Sequence, residues 1–276
     1  MCTTCGCAGG GVEGMATKGT SGAHVHEGHG HDHGHGHDHG HTHERHDRAH
    51  AHGGRPIDVA TRTLLLEQDI LSKNKGWAER NRGWLEGRQI TSLNLMSSPG
   101  AGKTTLLTRM IEDLQGDLSI SVVEGDQETS RDADRIRATG CRAVQINTGT
   151  GCHLDARMVS GALRALDPAT RSLLVIENVG NLVCPALFDL GESVKVVVMS
   201  ITEGEDKPLK YPHMFRAAGV LVLTKLDLLP YVGFDRDACI QHALEVNPRL
   251  RIFQVSAVKG LGLDDWYAWL KEEIAR

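Results

Sequence analysis

Aromatic side chains make up only 4% of this 276-residue chain, and no stretch approaches the roughly 18 consecutive apolar residues that a membrane-spanning helix needs. Positive charge is not in excess either. The formal net charge is −5, and no basic patch carries interleaved aromatics, which argues against a nucleic-acid partner. The first residues have neither the basic nor the apolar region of a signal peptide. A cytoplasmic protein without a membrane partner is therefore expected, its seven cysteines reduced and available as ligands.

Histidine is abundant and unevenly placed. Residues 24–52 hold 13 of the chain's 16 histidines, among them His31, His33, His35, His37, His39, His41 and His43, interleaved with Gly and Asp. Such a segment cannot bury enough apolar surface to offset its ordering entropy, so residues 1–56 read as a disordered tail. Neutral imidazoles are common metal ligands, and the composition points to metal storage at weak sites. Ahead of the tract, Cys2, Cys5 and Cys7 fall within seven residues, close enough to enclose one thiophilic ion such as Zn(II), Cu(I) or Ni(II). The terminal amine can supply a fourth, square-planar ligand that favours Ni(II); a redox or incidental cysteine cluster is the alternative.

After Pro56, residues 57–89 suggest lead-in helices: an amphipathic one over 57–71 with Ala60, Leu64 and Leu71, then a short one carrying Trp77 and Trp84, broken by glycines. From residue 90 to 276 the pattern changes. The runs ITSLNLM, LSISVVE, RAVQIN, SLLVIEN, VKVVVMS, VLVLTK and RIFQVS alternate with helix-length segments. Near-continuous apolar runs of this length describe strands buried on both faces, hence an α/β domain with a mostly parallel sheet flanked by helices.

Directly after the first run comes SSPGAGKTT, which fits G-x-x-x-x-G-K-[ST] with Ser97 in place of the first Gly. The backbone of Gly100, Ala101 and Gly102, followed by Lys103, Thr104 and Thr105, is the expected phosphate cradle of a P-loop NTPase. Lys103 reaches the β- and γ-phosphates, and Thr104 ligates Mg²⁺. The TKLD segment places Asp227 where it can accept two hydrogen bonds from guanine, a pair adenine cannot donate, with the Lys225 stem against the ring and Ser256-Ala257 near the guanine oxygen. GTP and GDP are thus the expected nucleotides. Asp126 and Glu177 each end an apolar run, where Glu177 can hold Mg²⁺ and Asp126 can position the attacking water or assist at the metal; either is also readable as an ordinary strand-end acid. Gly180 follows at the spacing of a γ-phosphate-sensing loop. No glutamine or arginine finger stands out, so slow intrinsic hydrolysis acting as a switch is expected.

Cys152 and His153 sit side by side at a helix start, and Cys184 lies four residues past Gly180. They read either as a second metal site or as two small buried thiols and a helix-start histidine. Too few for a closed tetrahedral site, they would be doubled by a two-fold dimer. Movement of 177–184 on loss of the γ-phosphate would shift a metal ligand, and by linkage metal would alter nucleotide affinity by the same factor.

CTTCGC, the His tract, SSPGAGKTT, VVEGDQ, INTGTGCHLDA, IENVGNLVCPALFDLGE, TEGEDKPLKYP and TKLDLLPY occur in this order, and together they resemble the hydrogenase nickel incorporation GTPase family (HypB) over nearly the whole chain. The resemblance implies a SIMIBI-type G domain and a GTP-hydrolysing metallochaperone that dimerises with GTP. Such a protein helps deliver Ni(II) to the precursor of the [NiFe]-hydrogenase large subunit, alongside a small zinc- and nickel-binding maturation partner. It also implies that Cys2, Cys5 and Cys7 are the tight nickel site, that Cys152, His153 and Cys184 hold nickel or zinc, and that Lys207 or Lys210 contributes to the dimer. Ser97 and Thr224 depart from the Gly and Asn of a generic P-loop GTPase. A urease-maturation GTPase is disfavoured because its Cys-Pro-His ligand motif is here Gly-Cys-His with a separate Cys184-Pro185. Two readings of other classes are a nickel buffer with incidental GTPase activity and a small-molecule kinase.

Overall fold

A computed structural model describes residues 59–127 and 130–276, with side chains described from residue 68 onward. The N-terminal thiols and the histidine tract lie outside the described residues. Each of the seven apolar runs forms a strand: β1 (Thr91–Met96), β2 (Ile120–Asp126), β3 (Arg142–Asn147), β4 (Leu173–Glu177), β5 (Val194–Ser200), β6 (Val220–Thr224) and β7 (Arg251–Gln254). They build one sheet in the order β3-β2-β4-β1-β5-β6-β7, with every neighbouring pair parallel. The helices are α1 (Val59–Gly87), α2 (Lys103–Leu114), α3 (Arg131–Ala138), α4 (Ala156–Leu166), α5 (Cys184–Leu187), α6 (Lys207–Lys210), α7 (Pro212–Ala217), α8 (Arg236–Val246) and α9 (Leu263–Ala275).

Alternation along each strand feeds two cores. Leu93, Leu95, Val175, Val196, Val198, Val220 and Val222 pack with Leu107, Met110 and Ile111 of α2 and with Trp266, Trp269 and Leu270 of α9. On the opposite face, Leu174 and Ile176 meet Leu163 and Leu166 of α4, while Val197, Met199, Leu221 and Leu223 meet Phe215 of α7 and Cys239 and Ala243 of α8. Both faces are covered, so the strands lack polar alternation. Each fully buried Leu or Val side chain contributes about 1.5–3 kcal/mol of transfer free energy. The sheet carries the chain to its carboxyl edge beside β1, where the strand order turns outward in both directions and ligands bind in open α/β folds.

The lead-in region differs from expectation. A single helix, α1, runs through Gly76 and Gly83 instead of breaking there. Tertiary contacts override the low propensity. Asn74 donates to the Asp189 carbonyl (2.7 Å) and accepts from Ala156 N (2.8 Å), Asn81 donates to the carbonyls of Ala156 (2.7 Å) and Leu190 (2.9 Å), and Arg82 grips Asp189 at 2.7 and 2.8 Å. Ala78 and Leu85 complete the buried stripe. At Gly191, with φ +89°, an added Cβ would lie 2.6 Å from the Ala78 carbonyl. Gly191→Ala is therefore expected to destabilise the protein by about 2–4 kcal/mol, from positive-φ strain and overpacking. Gly83→Ala, in open space on the same helix, should stabilise by about 0.5–1 kcal/mol. Urea unfolding midpoints check both signs.

Candidate functional site

The phosphate loop grows out of β1. Gly100 (φ +75°) and Gly102 (φ +94°) adopt left-handed backbone that residues with a Cβ avoid, and α2 begins at Lys103. The first amides of an α-helix lack intrahelical partners, so the start of α2 presents donors and positive dipole to an anion. Ser97, in the first-Gly position, is fully buried and accepts from Lys103 Nζ at 2.7 Å while donating to the Ser98 carbonyl at 2.6 Å. The lysine is thus held along the loop. Gly180 packs against the same loop, because a Cβ there would lie 3.1–3.2 Å from Pro99. Thr105 is partly buried on α2 and receives a 3.4 Å contact from Arg135.

Behind the loop lies a buried acidic pair. Thr104 Oγ1 donates to Glu177 Oε1 at 2.7 Å. Glu124, absent from the expected set, is the register partner of Glu177 across β2 and β4, so both carboxyls leave the sheet on the same face. Burial raises the Glu177 carboxyl, opposed by Lys103 and the Thr104 bond; burial followed by the charge of Glu177 pushes Glu124 up to about 8. Burial also lowers the Lys103 ammonium, against the pull of Glu177. Glu124 Oε2 and Glu177 Oε2 have no hydrogen-bond partner in the described structure. Orphaned carboxylate oxygens beside a threonine hydroxyl suit a hard divalent cation such as Mg²⁺, which takes oxygen ligands. Asp126, at the exit of β2, is partly buried, and its carbonyl accepts from Thr148 N at 2.9 Å. Glu124 lies inside the apolar run of VVEGD, and that position is the sequence signal for an inward-facing acid, whereas Asp126 stands at the strand end.

The TKLD segment is wired to the phosphate loop. Thr224 donates to the Ala101 carbonyl at 2.6 Å, Lys225 Nζ donates to the Gly100 carbonyl at 2.8 Å, and Ser256 Oγ donates to Asp227. Lys259 N in turn donates to Ser256 Oγ at 3.1 Å, and the Ala257 carbonyl accepts from Arg109 at 3.2 Å. In the TEGEDKPLKYP segment the two lysines part company. Lys207 is buried against Ser98 (3.0 Å) and Glu203, and burial lowers its pKa, whereas Lys210 is exposed and pairs with Asp206 at 2.6 Å.

Cys152, His153 and Cys184 come together. Cys152 Sγ lies 3.0 Å from Cys184 Sγ and 3.5 Å from His153 Nδ1, and all three offer ligand atoms within 4.8 Å of one another. His153 stacks on Phe188 with ring centroids 3.9 Å apart, and burial lowers its pKa, which keeps the imidazole neutral and its lone pair available. Two sulfurs and one nitrogen suit a borderline transition-metal ion and leave a coordination position to be filled from outside.

A P-loop nucleotide-binding protein with a cysteine–histidine cluster on the loops that follow β3 and β4 is the class that fold and geometry define. The family model described as CobW/HypB/UreG, nucleotide-binding domain, matches residues 91–254. The hydrogenase maturation factor HypB of Rhizobium leguminosarum bv. viciae is 60% identical over 215 residues, 78% of this chain and 72% of that one. That of Escherichia coli (strain K12) is 54% identical over 228 residues, 83% and 78% of the two chains. The crystal structure of HypB from Helicobacter pylori in complex with nickel superposes with a TM-score of 0.69 at 39% identity, covering 74% of this chain and 95% of that one. The chain belongs to the HypB family of hydrogenase maturation factors. No helix among the described residues is long and apolar enough to cross a membrane.

The raised pKa of Glu124 sets a pH dependence. An acid whose folded pKa lies above its unfolded value stabilises the fold fully below the unfolded pKa of 4.5, and that contribution is lost as pH rises toward about 8. In metal- and nucleotide-free protein, Glu124→Gln should therefore raise stability at pH 8 by about 1–2 kcal/mol, a Tm gain of about 2–8 °C. The gain should vanish near pH 5. Calorimetry at the two pH values checks it.

Proposed function

We propose that the chain is a GTP-hydrolysing nickel metallochaperone that delivers Ni(II) to the large-subunit precursor of [NiFe]-hydrogenase. The observation that carries this reading is the Cys152–His153–Cys184 cluster, one of whose thiols follows the Gly180 loop that packs on Pro99 of the phosphate loop. GTP is held by Gly100, Ala101, Gly102, Lys103, Thr104 and Thr105 at the phosphates and by Lys225, Asp227, Ser256 and Ala257 at the base. Thr104 and Glu177, with Asp126 nearby, would hold Mg²⁺, which would supply positive charge against the phosphate oxygens. Lys103 stabilises the charge that develops on the γ-phosphate as water attacks phosphorus and the bond to GDP breaks. Asp126 orients that water. Turnover is slow and the γ-phosphate acts as a switch.

Nickel is cargo, taken by two thiolates and an imidazole, with zinc as the competing ion. A GTP-dependent homodimer brings two such clusters to one axis. The tail supplies a tight site at Cys2, Cys5 and Cys7 and a weak histidine reserve. The reaction is cytoplasmic, and a small zinc- and nickel-binding maturation protein shares the transfer. The relative whose solved structure is described as a complex with nickel supports the choice of metal.

Nucleotide and metal measurements on the full chain test this reading. Lys103→Ala should lower the GTP hydrolysis rate by about 10²–10³-fold. Asp227→Asn should weaken GTP binding by about 10²-fold or more while leaving ATP binding unchanged. Equal affinity of the unsubstituted protein for ATP and GTP would remove the guanine assignment. Cys184→Ala should abolish the nickel-thiolate absorption of the cluster and spare GTP hydrolysis.

A further inference from the structure

We infer that Asn178 is the positioning residue through which the phosphate site sets the geometry of the Cys152–His153–Cys184 cluster; this rests on the GTP-gated nickel reading above. Asn178 follows Glu177 directly and precedes the Gly180 loop by two residues. Its amide is 1% exposed and reaches three segments at once. Oδ1 accepts from Leu154 N at 3.2 Å and from Val179 N at 3.0 Å, while Nδ2 donates to Asn94 Oδ1 at 3.2 Å. Leu154 is the residue next to His153. One side-chain oxygen thus holds the main chain of the metal loop and the main chain that leads to Gly180.

The bonds extend on both sides. Asn94 lies on β1, two residues before its end at Met96 and the phosphate loop, and donates to Glu192 Oε1 at 3.1 Å; Glu192 Oε2 accepts from Leu190 N at 2.6 Å, in the segment that follows α5 and Cys184. Asn94 and Glu192 are both buried. A second contact clamps Leu154 from the side of β2. The Leu154 side chain lies so close to Gly125 that an added Cβ would meet it at 2.8 Å, and Gln127 Nε2 donates to the Gly151 carbonyl at 3.3 Å. The metal loop is therefore gripped by the two segments that carry Glu177 and Asp126. Buried amides with their hydrogen bonds made are rigid, and leaving the Leu154 amide without an acceptor costs the full desolvation of that group. A displacement of 177–180 with the γ-phosphate has to carry Leu154 along or break that bond. If the bond holds, His153 is drawn along with 177–180; if it breaks, Cys184 moves relative to Cys152 and His153.

The test uses the full chain with Cys2, Cys5 and Cys7 replaced by alanine, so that nickel-thiolate absorption reports Cys152 and Cys184. Ni(II) affinity is measured with GDP and with a non-hydrolysable GTP analogue, and amide exchange is followed over residues 150–158. The parent protein is expected to show at least a tenfold difference in nickel affinity between the two nucleotides and a nucleotide-dependent protection of the Leu154 amide. Asn178→Ala should reduce the difference to twofold or less with nucleotide affinity within threefold of the parent. Asn178→Asp, which keeps the acceptor oxygen, should restore most of it. Full coupling in Asn178→Ala, or Leu154 protection in the parent that is the same with both nucleotides, overturns the assignment to Asn178 while leaving GTP-gated binding in place. A parent whose nickel affinity is equal with both nucleotides overturns the gating itself and this inference with it. The exchange measurement needs no substitution, so the inference stays open to refutation even where Asn178→Ala fails to fold.

Discussion

The bond from Thr104 to Glu177 is the constraint around which the molecule is arranged. It ties the first turn of α2 to the last residue of β4 and fixes the phosphate loop against the sheet edge. Burying a carboxyl at that point is costly, and the fold accommodates it with Lys103 on one side and a threonine hydroxyl on the other. Glu124 adds a second buried acid, one of whose oxygens has no hydrogen-bond partner in the described structure. Two acids in one buried site give that edge of the sheet a strong preference for a cation, which is the preference a magnesium-nucleotide requires.

Ser92 and Asn94 place two buried polar side chains on one face of the central strand. On the face that meets α1, α4, α7 and α8, Ser92 pairs with Ser193, exposed just ahead of β5, and buried Asn94 with buried Asn178 and Glu192. This polar row runs between two apolar clusters, the one beneath α4 and the one beneath α7 and α8. A wholly apolar interface would have packed with less penalty. The polar row instead provides directional bonds, which fail or hold as units and so can relay a change that soft apolar contacts would absorb.

Much of this was legible in the residues alone. The seven strands announced themselves because both faces of the sheet are covered, which removes polar alternation from the strands. The phosphate loop has a spacing imposed by the phosphates it cradles, and the sequence offered Cys152, His153 and Cys184 as one group, which the structure brings together. What stayed hidden depended on distant partners. Helix α1 continues through its glycines because Asn74 and Asn81 bond to segments 75 or more positions away. Asn178 looked like the polar end of a strand, and its partner Asn94 lies 84 positions back in the chain. Glu124 is marked only by its place inside the apolar run of VVEGD, a weaker signal than the strand-end position of Asp126.

The bonds from Thr224 and Lys225 to the carbonyls of Ala101 and Gly100 hold the phosphate loop in shape without help from a nucleotide. A ligand that arrives need not fold its own site, so little of its binding energy is diverted into ordering the loop. A site braced in this way discriminates by shape: a ligand that matches the fixed loop is favoured over one that would require it to deform.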